Sequence, residues 1–340
     1  MILLRMKSHS VLLIVFLLTS CSQVPVAPAI QISETNTSGP TIQAVVTAEV
    51  APLSSAVDLS GKILVHTPKT VQLSNSDGTS PVLIHTLESP LPMIALSPDG
   101  AEFAYFDGNF LYVKDVLTGR VSTWNREMMG SIGGQLRWSP DGAEIALACS
   151  TPDQPTTSLC LVDENGNIEY LVKKEDVAGA KTTPEYFIEM QDWSRDGSKI
   201  IFLYYAPSEK GQKQDFSIYY YDTLSGTTQL VLDGNNQEII FQIRQVNISP
   251  DNKALLLSGI SGDSLFKVYV LNMETLSVTP LQLKQLPDAS LQNPVWSSDS
   301  CCYFIRVEQD NIYQHTVVAD LAGNILRTLD IQGTVLQWIK

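Results

Sequence analysis

Apolar positions fall into two patterns along the chain. Val11 to Leu18 is one unbroken apolar run. From Leu59 onward the apolar residues come as short runs bounded by Ser, Asp, Asn, Gly or Pro, the pattern of short strands joined by tight turns. Five of these runs follow closely similar segments. Leu96-Ser97-Pro98-Asp99-Gly100 precedes Ala101 to Phe106, and Trp138-Ser139-Pro140-Asp141-Gly142 precedes Ala143 to Ala148. Trp193-Ser194-Arg195-Asp196-Gly197 precedes Ser198 to Tyr204, and Ile248-Ser249-Pro250-Asp251-Asn252 precedes Lys253 to Ser258. Trp296-Ser297-Ser298-Asp299-Ser300 precedes Cys301 to Val307. A third strand, a tight polar turn and a fourth strand come next, as in Asn109 to Val116, Leu117-Thr118-Gly119 and Arg120 to Trp124. Four short strands per repeat, at spacings of 42, 55, 55 and 48 residues between the Asp positions, are what a β-propeller blade needs.

The repeated segment reads as a turn. Ser first, Pro second and Gly fourth are type I turn preferences, and Asp hydrogen-bonds nearby backbone, so the segment joins strand one to strand two. Asp99, Asp141, Asp196, Asp251 and Asp299 are therefore assigned as structural turn residues, one per blade. The preceding Trp, where present, is a large side chain suited to packing between blades. The W-S-P-D-G turn with its following strand resembles the propeller repeats of TolB-like proteins, found also in the propeller of prolyl oligopeptidase relatives. The resemblance runs from about Leu59 to Lys340 and implies fold rather than function. Gly333 to Trp338 looks like a first strand without a successor, and Leu59 to Thr86 supplies a turn and three strands without a first strand. The expected fold is all-β, a six-bladed β-propeller over 57–340, closed by pairing of the C-terminal strand with the N-terminal blade.

The N-terminal pattern is different. Arg5 and Lys7, the apolar run and Leu18-Thr19-Ser20-Cys21 follow the order of a secretory signal, and the run is too short to span a bilayer, which takes roughly 20 residues. Leu-Thr-Ser-Cys resembles the bacterial lipobox. That resemblance implies a signal peptide over 1–20, lipid on Cys21 and a membrane-anchored, extracytoplasmic protein: on the outer face of the cell membrane, or in the outer membrane or periplasm of a two-membrane host. Residues 21–56 are rich in Ser, Thr, Pro, Ala and Val with few charges and read as a flexible tether, although Thr41 to Val50 has strand character.

Charge and chemistry narrow the function. Losing Arg5 and Lys7 takes Lys+Arg from 22 to 20 against 36 Asp+Glu, a formal charge of −16, and no basic stripe interrupts it, so nucleic acid is excluded as a partner. The only histidines are His9, His66, His85 and His315, and no G-x-S-x-G elbow occurs, which disfavours hydrolase triads and multi-histidine metal sites. No cofactor, catalytic residue or metal site is assigned. Cys149 and Cys160, on neighbouring strands of one hairpin, are a possible disulfide; Cys301 and Cys302 are expected to be thiols buried in blade six, or one of them open to pairing elsewhere.

Loops joining strands one to two and three to four share one face, and all are short. The other face carries Asn125 to Gly134, Thr151 to Thr157, Lys174 to Phe187, Ala206 to Gln214 and Asp233 to Arg244. Long loops are where binding sits, which makes Arg126, Met128, Met129, Glu185, Tyr186, Phe187 and Asp192 the ligand-face candidates. The expected function is a monomeric, non-catalytic binding or scaffolding propeller for a protein or envelope-polymer partner. The alternative is a hydrolase or lyase on extracellular glycans or peptides, working through carboxylates such as Glu185 and Asp192.

Overall fold

The repeated turn is built by its own side chains. In the computed structural model, which describes residues 61–87, 93–107, 110–125, 134–151, 154–173, 177, 187–206, 213–236, 240, 242–309 and 313–339, the Ser97 hydroxyl donates to Asp99 Oδ1 at 2.6 Å and accepts from the Glu102 N–H at 2.9 Å. Asp99 Oδ1 also accepts from the Ala101 N–H at 3.0 Å, and the Gly100 N–H closes on the Ser97 carbonyl at 2.9 Å. The same set recurs around Asp141, Asp196, Asp251 and Asp299. The fourth position is left-handed in all five turns, with φ of 74° at Gly100 but also 60° at Asn252 and 63° at Ser300, where a side chain makes it costlier. Because the turn aspartate holds the N–H of the fifth residue, each second strand starts one residue later than the apolar run suggested.

Six antiparallel four-stranded sheets result. Blade one comprises β24 (Thr334–Ile339), β1 (Lys62–His66), β2 (Thr70–Asn75) and β3 (Val82–Thr86). Blade two is β4 (Met93–Leu96), β5 (Glu102–Phe106), β6 (Leu111–Asp115) and β7 (Val121–Asn125). Blade three is β8 (Arg137–Trp138), β9 (Glu144–Thr151), β10 (Gln154–Asp163) and β11 (Ile168–Val172). Blade four is β12 (Phe187–Trp193), β13 (Lys199–Tyr205), β14 (Phe216–Asp222) and β15 (Thr227–Asp233). Blade five is β16 (Gln242–Ile248), β17 (Ala254–Ile260), β18 (Phe266–Asn272) and β19 (Val278–Leu281). Blade six is β20 (Ser290–Trp296), β21 (Cys302–Gln309), β22 (Tyr313–Asp320) and β23 (Ile325–Leu329). The chain is thus a six-bladed β-propeller, and β24 closes the ring by pairing with β1, Val335 opposite Val65 and Trp338 opposite Ile63.

The core lies between blades. Six clusters of buried side chains each join two neighbouring blades, and together they go once around the ring. The closing cluster holds Val335 and Trp338 of β24 against Phe304 and Val318 of blade six, with the Trp338 and Phe304 rings 4.5 Å apart and edge to face.

An innermost strand has a neighbour on one side only, so its other edge presents unpaired backbone groups. Side chains of adjoining blades fill that edge. Gln337 accepts from the Leu96 N–H and donates to the Leu96 carbonyl, at 3.2 and 3.1 Å. Trp138 Nε1 donates to the Ala95 carbonyl at 3.3 Å and Trp296 Nε1 to the Asn247 carbonyl at 3.1 Å. The motif tryptophans therefore supply a hydrogen bond as well as packing. Trp193 instead donates within its own turn, to the Gly197 carbonyl. Blades four and five are joined by a bulge in β12 between Met190 and Asp192, from which Gln191 and Asp192 accept the N–H groups of Val246 and Ile248 at 3.0 and 2.9 Å. Blade three has the shortest inner strand. Ahead of it, Gly134 bridges Met190 at φ 97°, where a Cβ would come within 2.4 Å of the Met190 carbonyl, so only glycine fits. Among the described residues no helix is long and apolar enough to cross a membrane.

Candidate functional site

The second positions of all five turns, Pro98, Pro140, Arg195, Pro250 and Ser298, ring one end of the central channel together with the last residues of the six innermost strands. They enclose a cavity of about 350 Å³. Four of the five tryptophans, Trp138, Trp193, Trp296 and Trp338, line it. One ion pair stands in its wall: Arg137 Nε donates to Asp192 Oδ1 at 2.8 Å, both side chains nearly buried, while Asp192 Oδ2 takes the Ile248 N–H. Both carboxylate oxygens are engaged, so Asp192 joins blades three, four and five through charge-assisted bonds.

The rim departs from proline only at Arg195 and Ser298, and these two meet. Arg195 Nη1 donates to the Ser298 carbonyl at 3.0 Å, reaching from blade four to blade six. Asn252 Nδ2 donates to Asp196 Oδ2 at 2.7 Å and the Asp251 N–H to Ser300 Oγ at 3.1 Å, tying the turns of blades four, five and six into one strap.

The opposite end of β12 opens on the long-loop face. Phe187 is half-buried there, its ring 6.2 Å from Tyr205. Two residues on, burial pushes the Glu189 carboxyl up to about 7, against a hydrogen bond from Tyr205 and the charge of Arg244. Burial and the Glu189 charge lift the Tyr205 phenol to about 12. Arg244 also donates to Gln242 Oε1 at 2.9 Å.

Of the residues singled out from sequence, Arg126, Met128, Met129, Glu185 and Tyr186 lie outside the described residues, as does Cys21. Phe187 sits at the long-loop end and Asp192 at the turn end, so the structure does not bring these two together. Of the long segments, Gln154 to Thr157 and Gln242 to Arg244 prove to be strand, in β10 and β16. Cys149 and Cys160 are bonded as a disulfide with Cα atoms 6.0 Å apart. Cys301 and Cys302 are free; Cys302 is buried but Cys301 is exposed, because it still belongs to the turn and not to β21. His85 packs against Tyr105, ring centroids 4.7 Å apart. Sequence reasoning missed Arg137, Glu189, Gln191 and Arg195. Arg195 alone had a local signal, as a basic residue where the repeat carries proline.

No family model matches the chain, and no curated protein matches it in sequence. Solved structures share its fold. TolB from Acinetobacter baumannii is 20% identical with a TM-score of 0.57, over 83% of this chain and 67% of that one. A putative TolB from Agrobacterium tumefaciens is 15% identical with a TM-score of 0.56, over 79% and 89%. A prolyl endopeptidase is 16% identical with a TM-score of 0.50, over 82% of this chain but 43% of that one. At these identities the likeness is one of architecture, the TolB-like propeller.

Proposed function

We propose that this chain is an extracytoplasmic lipoprotein, held to a membrane by lipid on Cys21 and lifted from it on residues 21–56. Its propeller is a non-catalytic binding or scaffolding module for a protein or envelope-polymer partner. The observation that carries the binding part is the cavity at the turn end. Six strands converge on it, the walls are tryptophan and proline, and the inter-blade bonds make it rigid before any ligand arrives. Preformed, aromatic-walled concavities with a few fixed polar groups favour binding because little ordering entropy is lost on association. The TolB-like architecture supports the same reading. Among the described residues the cavity lining holds a single carboxylate, Asp192, already engaged with Arg137 and Ile248, whereas glycoside hydrolysis takes two.

The test is capture from solubilised envelope with the full lipidated chain, read by mass spectrometry. Arg195→Glu reverses charge at the rim of the cavity, and Tyr186→Ala with Phe187→Ala strips the long-loop face. Loss of the captured partner in the first variant alone supports the cavity; loss in the second alone transfers the site to the long loops; retention in both removes the channel ends from the binding site.

A further inference from the structure

Cys301 and Cys302 are neighbours in sequence, yet their Sγ atoms lie 2.9 Å apart. That is closer than even two carbon atoms rest, about 3.5–4.0 Å. Successive side chains of a strand point to opposite faces, so the convergence needs a cause. Cys302 begins β21, its N–H held by Ser297 Oγ at 3.0 Å, but Cys301 is the last residue of the turn, its N–H held by Asp299 Oδ1 at 3.1 Å. Ser300 is left-handed at φ 63°, as the fourth position is in all five turns, so Cys301 follows the turn and not the alternation of the strand.

Asp299 offers a third ligand atom within 4.8 Å of both sulfurs, which raises the question of a metal ion. Its Oδ1 already takes the Ser297 hydroxyl and the Cys301 N–H, the same task its counterparts perform in four other turns. What remains is two sulfurs, short of the four ligands of a closed zinc site. Partial burial, the contact with Cys302 and the bond to Asp299 push the Cys301 thiol up to about 12, so little thiolate is present and exchange is slow, while an uncharged disulfide once formed meets no such penalty.

We propose that Cys301 and Cys302 are a reversible dithiol–disulfide pair that controls the blade-six rim of the cavity; the control, though not the pair, rests on the cavity being the binding site. The oxidant is an exogenous disulfide. Two S–H bonds break, the Cys301–Cys302 Sγ–Sγ bond forms, and the oxidant takes both electrons and both protons to leave as two thiols. Closure moves the sulfurs by roughly 0.9 Å, to a bond of about 2.05 Å. Neighbouring Cα atoms stand about 3.8 Å apart across a trans peptide, short of the 4.4–6.8 Å usual for a disulfide, so the bond is strained and readily reduced. Labile disulfides of that kind are regulatory rather than structural. The pair is well placed for regulation: the same turn carries the Ser298 carbonyl that receives Arg195 and the Ser300 hydroxyl that receives the Asp251 N–H.

The test uses the purified full chain equilibrated with oxidised glutathione, then denatured with an alkylating agent and no reductant. Tryptic peptide 285–306 carries both sulfurs. The expected result is a peptide about 2 Da lighter and unlabelled, converted to the doubly labelled form by prior reduction with a dithiol. Cys149–Cys160 is the internal control. If that bond is intact while Cys301 and Cys302 are both alkylated, or each carries glutathione, the pair is overturned. Tryptophan emission reads the cavity, since four of five tryptophans line it. It should shift on oxidation of the wild type and stay fixed in Cys301→Ala; a disulfide with unchanged emission overturns the control of the rim. Neither reading involves a partner, so failure of the binding proposal leaves both arms interpretable.

Discussion

Replacing Glu189 by Gln should stabilise the protein above neutrality and do little in acid. A carboxyl whose folded value is about 7 against an ordinary 4.5 is penalised for being charged in the native state. The cost is absent well below 4.5, grows as pH rises, and is complete above 7. Each tenfold change in the proton-binding equilibrium is worth about 1.36 kcal/mol, so the full cost is roughly 3 kcal/mol at pH 8 and about 1 kcal/mol at pH 5. Gln has nearly the same shape, keeps an acceptor for the Tyr205 hydroxyl and carries no charge, so it escapes the penalty. The gain over wild type should be about 2 kcal/mol larger at pH 8 than at pH 5. At about 2–4 °C per kcal/mol, melting temperatures followed by circular dichroism should show an advantage about 4–8 °C larger at the higher pH. An equal advantage at both pH values, or a loss at pH 8, would refute the reasoning and mean that Arg244 and Tyr205 stabilise the charged carboxylate fully.

Three further outcomes follow from the same geometry. Trp338→Ala removes the anchor of the closing strand and should cost about 3–5 kcal/mol in urea unfolding, with one cooperative transition retained; a cost below about 1 kcal/mol would mean that β24 does not hold the ring. Asp141→Ala leaves the Ser139 hydroxyl without its acceptor and the Ala143 N–H with Ser139 Oγ alone, and at this exposed turn should cost about 0.5–1.5 kcal/mol at pH 7. Because those two bonds, the Ser139 hydroxyl first, hold the Asp141 carboxyl below its ordinary 3.8, that stability is present above 3.8 and lost as pH falls further, so wild type and variant should converge in acid. Cys21→Ala should release the protein from the membrane fraction of fractionated cells; continued sedimentation with membrane would end the lipid-anchor proposal.

The parts of the fold that sequence exposed are those fixed by local chemistry. Ser, Pro, Asp and Gly at set offsets make the same turn wherever they occur, so five copies announced five blades, and the stranded motif at Gly333 to Trp338 announced the sixth. The site was far less legible, because it is assembled between repeats. Arg137 and Asp192 are 55 residues apart and meet only because a bulge in β12 turns Gln191 and Asp192 together toward β16. Glu189 looks like any outward-facing strand residue until β13 and β16 bring Tyr205 and Arg244 beside it. Loop length pointed to one face as the binding face, and most of its candidates lie outside the described residues; the cavity lined by Trp138, Trp193, Trp296 and Trp338 lies at the other end, built from turns whose side chains meet only in the closed ring. Cys301 and Cys302 were read by strand alternation, which fails one residue before β21 begins.

The central claim is that the propeller binds without transforming what it binds. The most direct measurement incubates the full chain with its captured partner, and in parallel with peptide and glycan libraries, then follows binding and product mass together. Saturable binding at one site per chain, partner recovered at unchanged mass and no products from either library are expected. Cleavage or elimination products that appear with wild type and vanish in a Glu185→Gln or Asp192→Asn variant would contradict the claim and establish the hydrolase or lyase alternative.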